Sequence, residues 1–362
     1  RNIKPHQQNN LKIYPMKIIS SSIWQISIDR MLQNLSIGSI KVTYPNNEKK
    51  IYKGKFSGPI ADVTFHTHKS IKNTILGGSI GFCEAVISGE ISSKNLQKIA
   101  EIGASNESGL DTNGKGYKVF KLFNKFSHLF RNNSIKGAKR NISLHYDLGN
   151  DFYSYWLDET MTYSSAIFTK NNSHLKNAQL NKYDTIAKAV NIQKGEKVLE
   201  IGCGWGGFLE FASKQYEAFV TSITVSKKQY EYTKNKIKQI NPKTNAKVLL
   251  EDYRNIKGKF DKIVSIEMFE AVGENYWPIF FQQIKNLLKP NGAAALQVIT
   301  IKDEYFQNYR RYPDFIQKYI FPGGMLPSIS SLEEPISNAG LKLISVKGFG
   351  KDYANTLANW RK

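Results

Sequence analysis

The sequence predicts an α/β protein: a doubly wound, mostly parallel sheet over residues 141–362, preceded by a small α+β domain over residues 23–107. Three observations predict it. From residue 141 onward, apolar runs at 198–201, 219–225, 247–250, 262–266, 293–299 and 341–346 are mostly separated by segments of helical periodicity, the pattern of strands buried on both faces and joined by crossover helices. Residues 197–211, KVLEIGCGWGGFLEF, carry a buried strand (Val198, Leu199, Ile201) through a glycine loop (Gly202, Gly204, Gly206, Gly207) into a helix. Ahead of this, residues 23–107 mix two-residue and helical periods in no repeating order.

The elements follow in chain order. Residues 1–22 are polar and irregular and read as a poorly ordered lead. Residues 39–54, SIKVTYPNNEKKIYKG, alternate on both sides of Pro45-Asn46-Asn47, which reads as a hairpin. ADVTFHTH (61–68) alternates again and would place His66 and His68 on one strand face. Two solvated histidines are the simpler reading than a metal site, and no metal is expected. KSIKNTILGG and NLQKIAEIGA read as helices. Residues 106–116 have the composition of a linker. In YKVFKLFNKFSHLF, which follows, Val119, Leu122, Phe123, Phe126, Leu129 and Phe130 share one helical face while Lys118, Lys121, Lys125 and Arg131 fill the others. Residues 108–140 are therefore assigned as a linker bearing a basic amphipathic helix. That helix suits a membrane interface or packing against its own protein.

At 362 residues, one or two domains are expected, and 41% hydrophobic content suffices for substantial cores. No run approaches the ~18 apolar residues of a membrane-spanning helix. Cys83 and Cys203 form neither a metal-ligand spacing nor a disulfide framework, which fits a reducing cytoplasm. The net charge is +21, and residues 1–140 hold 22 Lys+Arg against 8 Asp+Glu. Such a segment suits an anionic surface, membrane or nucleic acid, although a chain rich in Lys, Asn and Ile reaches this balance by composition alone.

The glycine loop is the chemical centre of the sequence. Glycines let the backbone turn sharply and approach a ligand, and the helix start offers free N–H donors. A dinucleotide fingerprint puts its ribose acid about 20 residues beyond the loop. Here that region reads SITVS (222–226), without an acid, and the acid stands before the first glycine at Glu200. The pattern E-x-G-x-G-x-G resembles the S-adenosylmethionine loop of Rossmann-like methyltransferases. The competing reading is a tight strand–helix turn that binds nothing.

HYDLGNDFYSYWLDETMTYSSAIF (145–168), FPGGMLP (321–327) and DYANTLANW (352–360), together with GFCEAVISGEI (81–91), resemble the cyclopropane-fatty-acyl-phospholipid synthase family, which includes mycolic acid cyclopropane synthases and related fatty-acyl methyltransferases. The resemblance covers most of the chain. It implies a Rossmann-like S-adenosylmethionine-dependent methyltransferase fold behind a small lipid-binding domain. It implies donor contacts from Tyr163 and Ser164, from Gly202, Gly204 and Trp205, from Thr224 and Gln229 at the ribose, and from Asp252 and Tyr253 beside adenine. A hydroxyl and an amide as ribose partners account for the missing acid. It further implies transfer of a methyl group to an unsaturated phospholipid acyl chain. The acyl carbocation is shielded from water and stabilised by aromatic faces. A bound bicarbonate, held by Cys, Glu, His, Ile and Tyr, takes the proton that closes the ring.

The chain departs from that pattern. The Glu, Tyr and Ile match Glu270, Tyr353 and Ile299, but the Cys position is Ser165 and the His position is Gln297. Ala271 stands where His is usual, and Glu267 where Gly is usual. Serine and glutamine still hydrogen-bond, so bicarbonate binding is compatible, but an amide cannot carry a proton as histidine can. Glu267 adds a second carboxylate beside Glu270. If both enter the site, one has a raised pKa and can serve as base; otherwise Glu267 faces elsewhere. Two products stay open, a cyclopropane lipid, which is favoured, and a methylated or methylene-branched chain. A non-enzymatic lipid-binding protein would not need an intact donor loop. A nucleic-acid methyltransferase would need a recognition module or base-flipping pocket, and no such motif is seen, so nucleic acid is not an expected partner. The expected setting is the inner face of a membrane, with unsaturated phospholipids and an anionic surface as partners and a homodimer left open. The absence of a last helix and antiparallel strand after residue 362 leads to the expectation of a C-terminally truncated catalytic domain.

Overall fold

The computed structural model describes residues 17–106, 149–170, 174–240, 246–311 and 313–362, with side chains from residue 23 onward. The chain divides into two compact units, residues 1–124 and 125–362.

The first unit contains α1 (Lys17–Gln33), β1 (Ile37–Thr43), β2 (Lys49–Lys53), β3 (Phe56–Phe65), α2 (His68–Ile87), β4 (Ile91–Ser92) and α3 (Leu96–Ser105). β1 and β2 form the expected hairpin, with Thr43 opposite Lys49 and the Tyr44 amide donating to the Glu48 carbonyl at 2.9 Å. β3 then runs parallel to β1 on its other side, giving the order β2-β1-β3-β4. The chain crosses under the start of β1 at Gly54, where a Cβ would lie 2.5 Å from the Ser36 carbonyl carbon, so a side chain there is excluded. Period-two alternation puts Ile40, Val42, Ala61, Val63 and Phe65 into a core with Ile28, Ile71 and Ile102. The opposite face of the sheet exposes Lys41, Lys49, Ile51, Lys53 and Ile60.

Three expectations change here. Helix α1 begins at Lys17, inside the stretch read as an irregular lead, and residues 1–16 lie outside the described residues. The strand of 61–68 ends at Phe65. His66 follows it and shares a 2.8 Å hydrogen bond with the Ser92 hydroxyl, whereas His68 opens α2 behind the Thr67 cap. The two histidines therefore do not share a strand face, and no cluster of metal-ligating side chains occurs among the described residues. Asn106, read as the start of a linker, is pinned in the unit, its Oδ1 accepting from the Ser36 and Ile37 amides at 2.8 and 2.9 Å. The remainder of the linker and the amphipathic helix of 117–130 lie outside the described residues.

The second unit contains α4 (Asn150–Ser154), α5 (Leu175–Ala189), β5 (Lys197–Ile201), α6 (Gly207–Gln215), β6 (Phe219–Thr224), α7 (Lys227–Gln239), β7 (Ala246–Leu250), β8 (Phe260–Ile266), α8 (Trp277–Leu287), β9 (Leu288–Gln297), α9 (Asp303–Arg311), a π-helical turn (Ile316–Ile320), α10 (Ile329–Asn338) and α11 (Gly350–Trp360). Its sheet has the order β7-β6-β5-β8-β9, and the paired strands are all parallel. Alternation sends Val198, Val220 and Val264 into one layer with Ile186, Phe208 and Leu209. Leu199, Ile201, Ile223 and Ile263 enter the opposite layer with Phe269, Phe280 and Ile284. Both faces are thus covered, as a parallel sheet requires. The run at 341–346 forms no strand. Leu343, Ile344 and Val346 are exposed, because no neighbouring strand among the described residues pairs with them. Strand order reverses between β5 and β8, so their C-terminal ends flank a crevice, the place where such sheets bind ligands.

Candidate active site

A cavity of about 660 Å³ opens at that crevice. All ten residues expected at the methyl donor line it: Tyr163, Ser164, Glu200, Gly202, Gly204, Trp205, Thr224, Gln229, Asp252 and Tyr253. Of the six expected at the chemistry, Glu267, Glu270, Ile299 and Tyr353 line it too, whereas Ser165 and Gln297 do not.

The donor end is built by β5, β6 and the loops after them. Gly202 has φ +94°, and a Cβ on it would approach the Met268 side chain to 2.8 Å. Its amide and that of Cys203 donate to the Ile223 carbonyl at 3.1 and 2.9 Å, which ties the loop to β6. Gly206, with φ +78°, caps α6. A Cβ on Gly207 would stand 2.3 Å from the buried Tyr183 Oη. Glu200 is buried and accepts from the Ser222 hydroxyl, and burial pushes its carboxyl up to about 8. Thr224 Oγ1 donates to Gln229 Oε1 at 2.9 Å and accepts from the Ser226 amide at 3.1 Å. Asp252 is gripped by Arg254, whose Nε and Nη2 each lie 2.7 Å from a carboxylate oxygen, while Tyr253 packs edge-on to Phe280. Trp205 Nε1 donates to Asn150 Oδ1 at 2.9 Å and its ring lies 4.8 Å from that of Tyr153.

Next to the donor end stands an aromatic wall. Tyr163 packs against Tyr153, Trp156 and Trp360 with centroids 5.3–5.4 Å away, and stacks on Phe321 at 6.4 Å. Burial pushes the Tyr163 hydroxyl up to about 12, so it stays neutral.

The residues after β8 supply two carboxylates. Glu267 Oε1 accepts from the Ser165 amide at 2.8 Å and from Gln297 Nε2 at 2.8 Å, and Oε2 takes no hydrogen bond from the described residues. Glu270 Oε1 accepts from the Ile299 amide at 2.5 Å, while its buried Oε2 has no partner. The Glu270 carbonyl holds the Met325 amide at 2.8 Å, which hangs the 321–327 loop over the site. Burial raises both carboxyls above the ordinary range, and the like charge of Glu267 raises Glu270 further. Glu267 has φ +47°, the left-handed region that glycine favours, at about 1–2 kcal/mol for a side-chain-bearing residue. The Ser165 hydroxyl turns away and donates to the Ala166 carbonyl at 3.1 Å. Ser165 and Gln297 thus hold Glu267 from behind, through a backbone amide and a side-chain amide.

The family model for mycolic acid cyclopropane synthetase matches residues 133–362. The chain belongs to that family. Among curated relatives it is 35% identical over 293 residues to the tuberculostearic acid methyltransferase UfaA1 of Mycobacterium tuberculosis, covering 79% of this chain and 68% of that one. It is 35% identical over 216 residues to the cyclopropane-fatty-acyl-phospholipid synthase of Escherichia coli K12, covering 60% and 54%. Among solved structures it resembles the mycolic acid cyclopropane synthase CmaA1 complexed with SAH and CTAB, at 33% identity and a TM-score of 0.58, covering 61% and 81%. The chain spans between about half and two thirds of the first three curated relatives it matches. The doubly wound methyltransferase fold read from the sequence is the one observed.

A residue behind the site went unread. Lys182, on α5, is fully buried, and its Nζ donates to Ser164 Oγ at 2.6 Å. The Ser164 hydroxyl, expected at the donor, is thus engaged from behind. The signal was present. Leu175, Ala178, Gln179, Lys182, Tyr183 and Ile186 fall on one buried helical face, and a lysine there is out of place unless partnered.

Proposed function

We propose that this protein transfers a methylene unit from S-adenosylmethionine to the cis double bond of an unsaturated phospholipid acyl chain, closing a cyclopropane ring. The observation that carries the reading is Glu267, whose Oε1 is fixed by two donors at 2.8 Å on the wall of a cavity that also holds the glycine loop.

The residues present fit the methyl donor. The positive-φ glycines bring backbone close to it, Gln229 and Thr224 suit the ribose hydroxyls, and Asp252 and Tyr253 suit adenine. When bound, S-adenosylmethionine supplies an electrophilic methyl group. The chain supplies the rest. Tyr163, Trp156, Trp360 and Phe321 keep water out and offer ring faces to the acyl cation that forms when the alkene attacks. Glu267 Oε2 then takes a proton from the added methyl group, and the released electron pair closes the ring. The Ile299 amide holds Glu270 on the cavity wall, which Tyr353 also lines, packed edge-on to Trp360.

Bicarbonate does not fit as it does in the family pattern. The Ser165 amide and Gln297 Nε2 already serve Glu267, and a further anion would face two carboxylates. Glu267 supplies the carboxylate in place of the external ion.

Contact with an anionic membrane is proposed for the exposed sheet face of the first unit, where Lys41, Lys49 and Lys53 surround Ile51 and Ile60. No helix among the described residues is long and apolar enough to cross a membrane. A second reading, methyl branching without ring closure, is favoured by the likeness to the tuberculostearic acid methyltransferase. The test is incubation with labelled S-adenosylmethionine and unsaturated phospholipid vesicles, followed by NMR of the product. Upfield ring protons support cyclopropanation, a methyl doublet or methylene signal supports branching, and no label in lipid refutes both.

A further inference from the structure

We propose that Lys182 is a positioning residue for this reaction: a buried counter-charge that keeps the Glu267 carboxylate ionised and fixes the backbone that holds it. The inference rests on the reading of Glu267 as the base.

Helix α5 grips the strap of residues 162–167 through four side chains. Tyr183 Oη shares a 2.7 Å hydrogen bond with Thr162 Oγ1. Lys182 Nζ donates to Ser164 Oγ at 2.6 Å, and Gln179 Nε2 to the Ser164 carbonyl at 2.9 Å. Asn181 Nδ2 donates to the Ile167 carbonyl at 2.8 Å. Lys182 and Tyr183 sit three and four positions beyond Gln179, so one helical face delivers three of these contacts. The strap carries Tyr163 into the cavity on one side of Ser164 and, on the other, the Ser165 amide that donates to Glu267. Movement of Ser164 therefore moves a cavity wall and a ligand of the base together.

The charge argument is independent of the grip. Among the described residues Lys182 is the buried cation of the core, and the carboxylates it faces are Glu267 first, then Asp158 ahead of the strap and Glu200 on β5. Glu267 in turn faces Lys182, the like charge of Glu270, and Tyr163. Burial opposes ionisation of Glu267, Lys182 opposes that effect, and the charge so kept on Glu267 raises the carboxyl of Glu270. Burial also draws the lysine well below its ordinary range, and the carboxylates around it draw it back up. Lys182 lies outside the cavity lining and touches no reacting atom.

The test compares the pH dependence of lipid methylation in wild type, Lys182→Met and Ser164→Ala, with S-adenosylhomocysteine binding by calorimetry as the measure of an intact donor site. Activity needs ionised Glu267, so its acid limb tracks that carboxyl. In Lys182→Met the limb should move up by about one pH unit or more, the usual effect of removing a neighbouring opposite charge. In Ser164→Ala turnover should fall several-fold with the limb unmoved. A Lys182→Met enzyme that turns over with the wild-type limb overturns the inference. A wild type that never labels lipid overturns the functional reading instead. If Lys182→Met fails to bind S-adenosylhomocysteine, thermal melting in the Glu267→Gln background decides. The Tm lost on Lys182→Met should be smaller there than in wild type, and an equal loss refutes the coupling.

Discussion

Replacing Glu267 by glutamine removes one charge and almost no volume. The amide oxygen of the new side chain can still accept from the Ser165 amide and from Gln297 Nε2, the two 2.8 Å bonds that fix Oε1 in the native protein. The cavity wall, the left-handed backbone at this position and the donor end are unchanged. What disappears is the lone pair on Oε2 that takes the proton. General bases contribute ~10²–10⁴ in rate, so kcat should fall by that factor, ~3–5 kcal/mol in activation free energy. Affinity for S-adenosylhomocysteine should change by less than about threefold, because the amide oxygen keeps the Ser165 bond that positions Tyr163 and Ser164, and the other expected donor contacts lie on β5, β6 and the 252–253 turn. The assay is transfer of labelled methyl to unsaturated phospholipid vesicles at saturating donor, with calorimetry in parallel. If Glu267→Gln retains turnover within about threefold of wild type, Glu267 is not the base.

Three further outcomes follow from the same geometry. Burial raises the carboxyls of Glu267 and Glu270, and the charge of Glu267 raises Glu270 further; the active form needs Glu267 ionised, so kcat should be lost as pH falls, with a midpoint above the ordinary carboxylate range of about 4. A kcat profile flat down to pH 5 would contradict this. Gly207→Ala drives a Cβ to 2.3 Å from Tyr183 Oη; overpacking of this kind costs ~1–3 kcal/mol, read as a Tm lowered by ~2–4 °C per kcal/mol together with weaker S-adenosylhomocysteine binding. Joint replacement of Lys41, Lys49 and Lys53 by Gln should weaken co-sedimentation with anionic vesicles at least about tenfold, at ~1 kcal/mol per basic residue, and leave binding to neutral vesicles unchanged. Equal sedimentation would exclude this face as the contact.

The glycine-loop end of the cavity was legible because each of its parts is local in sequence. A strand, a glycine loop and a helix start occupy the consecutive residues 197–211, and backbone conformation there follows from residue type. The hairpin at 37–53 was legible for the same reason. The errors arose where pairing or packing decides. The apolar run at 341–346 has strand composition but no paired strand, and period alone cannot supply a neighbour. His66 and His68 alternate as a strand would, yet the Thr67 cap starts a helix between them. Ser165 fills a position expected to offer a hydroxyl, but the hydroxyl turns to Ala166 and only the backbone amide reaches the site.

The sequence by itself determined the sheet-and-helix alternation, the glycine loop and most of the residues expected around the cavity, since these depend on periodicity and residue type within short windows. Only the tertiary structure decided which side chains meet. It brought Ser165, Glu267 and Gln297 together from segments 30 to 132 residues apart, and turned two substitutions into the clamp of a third. It also set Lys182 under Ser164, behind the cavity. Charges and hydrogen bonds act over a few ångströms in a buried, weakly screened interior. That proximity is created where the loops after β5 and β8 meet at the switch in strand order, which no local pattern encodes.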